Sequence, residues 1–291
     1  LDARAVTPFL DKGAKAGGTP REMTRTCDVM ITCLPSPKAS AAVLQGSDGI
    51  LEAIGPGMIW LEMSTTDADE IRRLAALVEA RGGEAVDCPV SGGVHRAATG
   101  NISIFAGCKR AVFERVLPLL SIIGRRVLHT GEIGTASTLK VMTNYLATAN
   151  LLTLCEALVT MKAAGMDLAT TYEAIKISSG TSFVHETESQ MILNGSRDIS
   201  FSMDLVLKDI GLFQKLADAS GVPLEISPLM IEIFRDGQKR YGERANSDDI
   251  IRRLEEATGL SILAPGFPAE MVDDEPEAMG CEVVPPGMAR R

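Results

Sequence analysis

The stretch GTASTLKVMTN, residues 134–144, carries one amine and one amide in an otherwise small and apolar setting. Lys140 and Asn144 are four residues apart, so on a helix they share a face and can meet one ligand. The ordinary alternative is a surface lysine whose stem covers apolar neighbours while its amine reaches water. Leu139, Val141 and Met142 flank Lys140, however, and an amine desolvated among such groups gives up its proton nearer neutral pH, which suits a general base. A second constellation is Ser91, Gly92 and Gly93. Two glycines admit a ligand close to the backbone, and free N–H groups with the Ser91 hydroxyl make a cradle for a carboxylate, although a plain strand-to-helix turn uses the same residues. Leu34 and Pro35 close the run DVMITCLP, and Thr65 follows MIWLEMS. Both lie at strand ends, where a nucleotide sits against an α/β sheet. Thr65 or Thr66 can equally cap the next helix. Lys208, in DLVLKD, has Asp204 at i−4, the spacing of a surface ion pair. Phe183, in SSGTSFVHE, is a candidate pocket wall or a core residue.

The elements that must hold these residues read as follows. Apolar runs at 28–34, 58–63, 84–90, 102–107 and 126–131 predict strands, and DADEIRRLAALVEARGG and KRAVFERVLPLLSIIG predict amphipathic helices between them. Strands alternating with helices predict a parallel, Rossmann-like sheet over residues 1–134. From 135 to 164 one helix is expected, about 45 Å long and apolar on nearly all sides, which suits a position between domains or subunits. Further helical patterns extend an all-helical domain to about 260. Residues 261–291 mix prolines, glycines and acids without periodicity and predict a mobile tail.

Composition narrows the function classes. With 45% hydrophobic and 23% charged residues the chain is that of a globular protein, and a net charge of −9 disfavours nucleic acid as a partner. No apolar run is expected to span a membrane. Six scattered cysteines are expected to be buried free thiols in a reducing cytoplasm, and neither they nor the three histidines have ligand spacing, so no metal is expected. The long apolar helix predicts a homodimer or homotetramer.

Four stretches, DVMITCLPSP (28–37), EMSTTD (62–67), DCPVSGGVHRAATG (87–100) and GTASTLKVMTN (134–144), together with LVLKDIGL (205–212), resemble in order and spacing the 3-hydroxyisobutyrate dehydrogenase, or β-hydroxyacid dehydrogenase, family. The resemblance covers residues 1 to 257. It implies an α/β Rossmann-like domain, an interdomain helix and a helical domain, and an NAD- or NADP-dependent oxidation of a small hydroxy acid. It further implies that Lys140 is the acid/base, that Ser91, Gly92, Gly93 and Asn144 hold the substrate, and that Leu34, Pro35, Thr65 and Lys208 lie at the cofactor. The family's opening strand and G-x-G-x-x-G turn have no counterpart in this sequence, so the sheet is expected to lack its first, central unit. LDAR then reads as the end of a second strand, with Asp2 placed to bind the adenosine ribose and to favour NAD over NADP. An imine-reducing or non-catalytic relative would be expected to replace the lysine; an inactive, truncated chain is the other alternative.

Overall fold

Ile59, Trp60 and Leu61 are all buried, an apolar run too short for a helix and uncharged on both faces, and they form the inside of a sheet. A computed structural model describes residues 3–287. The first half comprises α1 (Ala3–Leu10), α2 (Pro20–Thr24), β1 (Val29–Thr32), α3 (Pro37–Gln45), β2 (Ile59–Glu62), α4 (Ala68–Glu79), β3 (Glu84–Asp87), β4 (Val90–Ser91), α5 (Gly93–Thr99), β5 (Ser103–Gly107), α6 (Arg110–Ile123) and β6 (Arg126–Gly131). The second half comprises α7 (Thr135–Ala163), α8 (Leu168–Lys176), α9 (Phe183–Asn194), α10 (Met203–Ala219), α11 (Ile226–Tyr241), α12 (Arg252–Thr258) and β7 (Cys281–Val283). The Rossmann-like sheet domain, long helix and helical domain of the sequence reading are all present.

The sheet runs in the order β1-β2-β3-β5-β6-β7. β1, β2 and β3 are parallel, with Ile31 opposite Leu61 and Leu61 opposite Val86. β5 joins β3 antiparallel at Asp87 and Gly107. The apolar run 84–90 is therefore two strands: β3 stops at Asp87, the chain turns through Pro89, and β4 pairs antiparallel with β5. β1 lies at one edge, paired only with β2 among the described residues, rather than beside a gap in the sheet's middle. Ala3 and Arg4, read as the end of a strand, belong to helix α1, and Leu1 and Asp2 lie outside the described residues.

Three further expectations change. The 261–291 segment is not a loose tail where it is described. Ile262 is fully buried in the helical core beside Leu260 and Phe267, the Ala264 amide donates to the Leu193 carbonyl at 2.9 Å, and β7 pairs in parallel with β6. Its acids find arginine partners, so the charge that suggests disorder becomes cross-linking. Helix α7 is long and apolar enough, by length and composition, to cross a bilayer; it packs instead against β5 on one side and α9 and α10 on the other. Finally, all six cysteines are free, but only Cys88, Cys108 and Cys155 are buried, while Cys27, Cys33 and Cys281 are exposed.

Gly134, at φ +90°, starts α7 and offers no side-chain cap. The cap comes from Asp87, whose carboxylate accepts from the backbone N–H of Gly134 (3.0 Å), the N–H of Ser137 (2.8 Å) and the Ser137 hydroxyl (2.6 Å). A carboxylate at a helix N-terminus meets both orphan donors and the positive end of the dipole. Its burial nonetheless pushes the carboxyl up to about 6, against those hydrogen bonds. Replacing Asp87 by Ala leaves two buried amides unsatisfied, and urea denaturation is expected to show a loss of about 2–3 kcal/mol, with the helical signal of α7 reduced.

Candidate active site

The site lies where the C-terminal ends of β1 and β2 face helices α7 and α10. A buried carboxylate fixes the strand ends. Glu62 accepts from the Ser64 amide at 2.9 Å and from the Thr32 hydroxyl at 3.1 Å, and Thr32 in turn accepts from the Trp60 indole at 2.8 Å. The Ser64 hydroxyl then accepts from the Leu34 amide at 2.7 Å. The Leu34–Pro35 loop and the Thr65 loop are thereby locked side by side. Neither threonine caps α4; Asp67 does, accepting from Asp69 N–H and Glu70 N–H, which leaves the Thr66 hydroxyl buried without a partner.

Helix α10 crosses to this edge. Lys208 ignores Asp204, which pairs with Arg244, and donates to the Thr65 carbonyl at 2.9 Å. Seven residues on, Lys215 pairs with Asp67. Between these two contacts and α7 stands Asp209, only 2% exposed. One of its oxygens lies 2.8 Å from the Lys208 amine, and the other accepts from Asn144 Nδ2 at 2.6 Å. Asp209 is absent from the sequence reading, because an acid next to a lysine on an amphipathic helix has no signal that separates it from a solvated pair.

Lys140 sits one turn before Asn144, is 6% exposed, and its amine has no hydrogen bond or ion pair with any described residue. The surface-lysine alternative fails on this observation: the stem is buried in the site rather than laid over an exposed apolar face. Burial pushes its amine down to about 8; the nearby Asp209 carboxylate pulls it back up, and Lys208 pushes it further down.

Ser91, Gly92 and Gly93 form a separate piece. Ser91 ends β4, and Gly92 and Gly93 have φ +132° and +82°, conformations that side-chain-bearing residues rarely adopt. No hydrogen bond links them to Lys140 or Asn144. Their helix instead meets the helical half through Phe183, which is 44% exposed rather than core: Arg96 lies 4.8 Å over its ring and His95 stacks at 6.2 Å. Structure therefore gathers Leu34, Thr65, Lys208, Asn144 and Lys140 around Asp209 and Glu62, while the Ser91–Gly93 turn joins β4 to α5 with no hydrogen bond to that group.

The residues present fit one end of a dinucleotide. Thr66 offers an orphaned buried hydroxyl at a strand end, Leu34 and Pro35 form a fixed wall, and Lys208 supplies a cation at the same edge. Among the described residues, no G-x-G-x-x-G turn is present to hold a pyrophosphate.

Comparisons with known proteins bear on the family and the fold. Residues 1–131 match a family model for the NAD binding domain of 6-phosphogluconate dehydrogenase, and residues 134–254 match one for the NAD-binding region of NADP-dependent 3-hydroxyisobutyrate dehydrogenase. The chain is 31% identical to 2-(hydroxymethyl)glutarate dehydrogenase of Eubacterium barkeri over 88% of this chain and 86% of that protein. It is 29% identical to the cytokine-like nuclear factor N-PAC of Homo sapiens over 78% of this chain, which spans 41% of that protein. Among solved structures, 3-hydroxyisobutyrate dehydrogenase from Salmonella typhimurium superposes with a TM-score of 0.79 at 26% identity, over 86% of this chain and 88% of that one.

A buried amine with a lowered pKa costs stability wherever the unfolded chain keeps its proton more readily. For Lys140 that cost is complete below about pH 8 and fades as pH rises toward 10.5, where the unfolded lysine also deprotonates. Lys140→Met is therefore expected to raise the unfolding free energy at pH 7, measured by urea denaturation, by on the order of 3 kcal/mol at most, with the gain shrinking above pH 8.

Proposed function

The chain belongs to the 3-hydroxyisobutyrate dehydrogenase family, and from that premise we propose that it interconverts a small β-hydroxy acid and the matching semialdehyde, with Lys140 as the group that moves the proton. The coarse activity is that of an NAD(P)-dependent hydroxyacid dehydrogenase. The observation that carries the finer reading is the Lys140 amine, buried and without a described partner, one turn from Asn144.

A bound nicotinamide would supply the hydride acceptor for the carbinol carbon, and the chain's own residues hold the acid and move its proton. Lys140 in its neutral form accepts the hydroxyl proton; in the reverse direction its ammonium form returns it. Asp209 keeps the amine titrating near neutral pH against the pull of burial, and through its bond to Asn144 it fixes that amide on the same face of α7. Ser91, Gly92 and Gly93 are assigned the substrate carboxylate, since the turn presents backbone N–H groups in conformations that keep side chains out of the way. Leu34, Pro35, Thr65 and Lys208 are assigned the cofactor edge. The apolar length of α7 favours a homodimer or homotetramer, and the buried thiols favour a cytoplasmic setting. N-PAC matches the same chain as well, and the presence of Lys140 beside Asn144 is what supports the catalytic reading.

A cofactor-linked screen of small hydroxy acids with both NAD and NADP tests the reading. Lys140→Ala is expected to lower kcat by about 10²–10⁴ with folding intact, and near-normal turnover would overturn the assignment. Oxidation in the wild type is expected to rise with pH and level off above about 8 as Lys140 loses its proton. Asp209→Asn removes a charge that favours the ammonium form, so the same limb of the pH profile shifts to lower pH.

A further inference from the structure

Helix α5 is an unusual neighbour for a substrate cradle. It has seven residues, too few to be stable alone, and none of them is buried, so no core packing holds it. Its N-terminal side is the Gly92–Gly93 turn, and its other end is held by the chain's C-terminal segment. Asp273, whose side chain is 3% exposed, accepts from the Thr99 hydroxyl and from Asn101 Nδ2 (2.7 Å), and it lies 3.8 Å from the Arg96 guanidinium. Glu275 completes the clasp: its carbonyl accepts from Asn101 Nδ2 at 2.7 Å, and its carboxylate reaches Arg96 at 3.7 Å, Arg125 at 3.5 Å and Arg126 at 3.0 Å. Asn101 is fully buried by these contacts. The segment arrives from the helical half, where Ile262 and Phe267 are packed, and ends in β7 on the sheet. The family model ends at residue 254, so the clasp lies beyond the part of the chain that the family defines.

We infer that the 260–283 segment is a strap that sets the substrate cradle, with Asp273 as a positioning residue for Ser91, Gly92 and Gly93. The assignment of those three residues to the substrate carboxylate is the reading proposed above, and the strap's role in catalysis rests on it. The physical route is short. Asp273 pins the last turn of α5 and the following Asn101, and it orients Arg96, whose guanidinium caps the Phe183 ring across the domain boundary. With the last turn of a seven-residue helix fixed, Gly92 before it and Gly93 at its first position, both at positive φ, have fewer arrangements open to them than without the clasp. Releasing them costs affinity for the acid but leaves the Leu34–Thr65 edge, held by Glu62, untouched.

The test uses the full chain with Asp273→Ala, Asp273→Asn and, as a reference for the cradle, Ser91→Ala. Hydrogen exchange of the amides in 91–101 is expected to speed up at least tenfold in Asp273→Ala, with no change in 59–62. In steady-state assays KM for 3-hydroxyisobutyrate is expected to rise about tenfold at nearly constant kcat, with KM for the dinucleotide unchanged. Asp273→Asn keeps an acceptor for Thr99 and Asn101 and is expected to restore most of both effects. Unchanged exchange in 91–101 overturns the strap. Faster exchange with an unchanged KM, while Ser91→Ala raises KM, overturns the link from strap to cradle. If Ser91→Ala leaves KM unchanged as well, the cradle assignment itself has failed and the positioning role falls with it. A wild type that oxidises no hydroxy acid removes the proposed activity and that role together, while exchange still decides whether the strap holds α5.

Discussion

The positions of Lys140 and Asn144 on α7 depend on one buried carboxylate at the end of β3. Asp87 belongs to the sheet by its backbone and to the helix by its side chain, and it bridges about fifty residues of sequence to do so. Because Gly134 has no side chain to cap the helix, the register and direction of α7 relative to the strands are set by this acceptor. Lys140 and Asn144 lie within three turns of it, so an error at the cap becomes a displacement of the amine. The sheet end and the helix start are in effect one part.

A second buried acid, Glu62, does the same for the opposite wall, and a third, Asp209, for α10. Three carboxylates thus organise the site without any being assigned to touch a substrate. Each is satisfied differently: Asp87 by helix amides, Glu62 by a serine amide and a threonine hydroxyl, Asp209 by an amide side chain and a lysine. Buried charge of this kind is held by partners rather than by burial, and loss of any partner leaves a costly orphan.

Much of the arrangement is legible in the sequence. The strand–helix alternation and the four-residue spacing of Lys140 and Asn144 are local patterns, and local patterns are visible without a structure. What escapes is long-range. Asp87, Glu62 and Asp209 look like any acids in sequence, since nothing in their neighbours marks which will be buried. The antiparallel join at β3 and β5 is hidden because Pro89 splits an apolar run that reads as continuous. The C-terminal strap is missed for a compositional reason: proline, glycine and acids signal a chain that cannot bury itself, yet here arginines about 150 residues or more away in sequence supply the partners and a few apolar residues suffice to dock it.

The parallel pairing of β7 with β6 has a consequence for how the molecule is made. Arg126 to Leu128 must keep one edge open until Cys281 to Val283 arrive, about 150 residues later in synthesis. The whole helical half is made in that interval. The sheet domain therefore cannot finish as an autonomous unit on the ribosome; its last strand is delivered by the domain that follows it. Such a high-separation contact is slow to form and closes the fold late. The two halves of this enzyme are joined in time as well as in space.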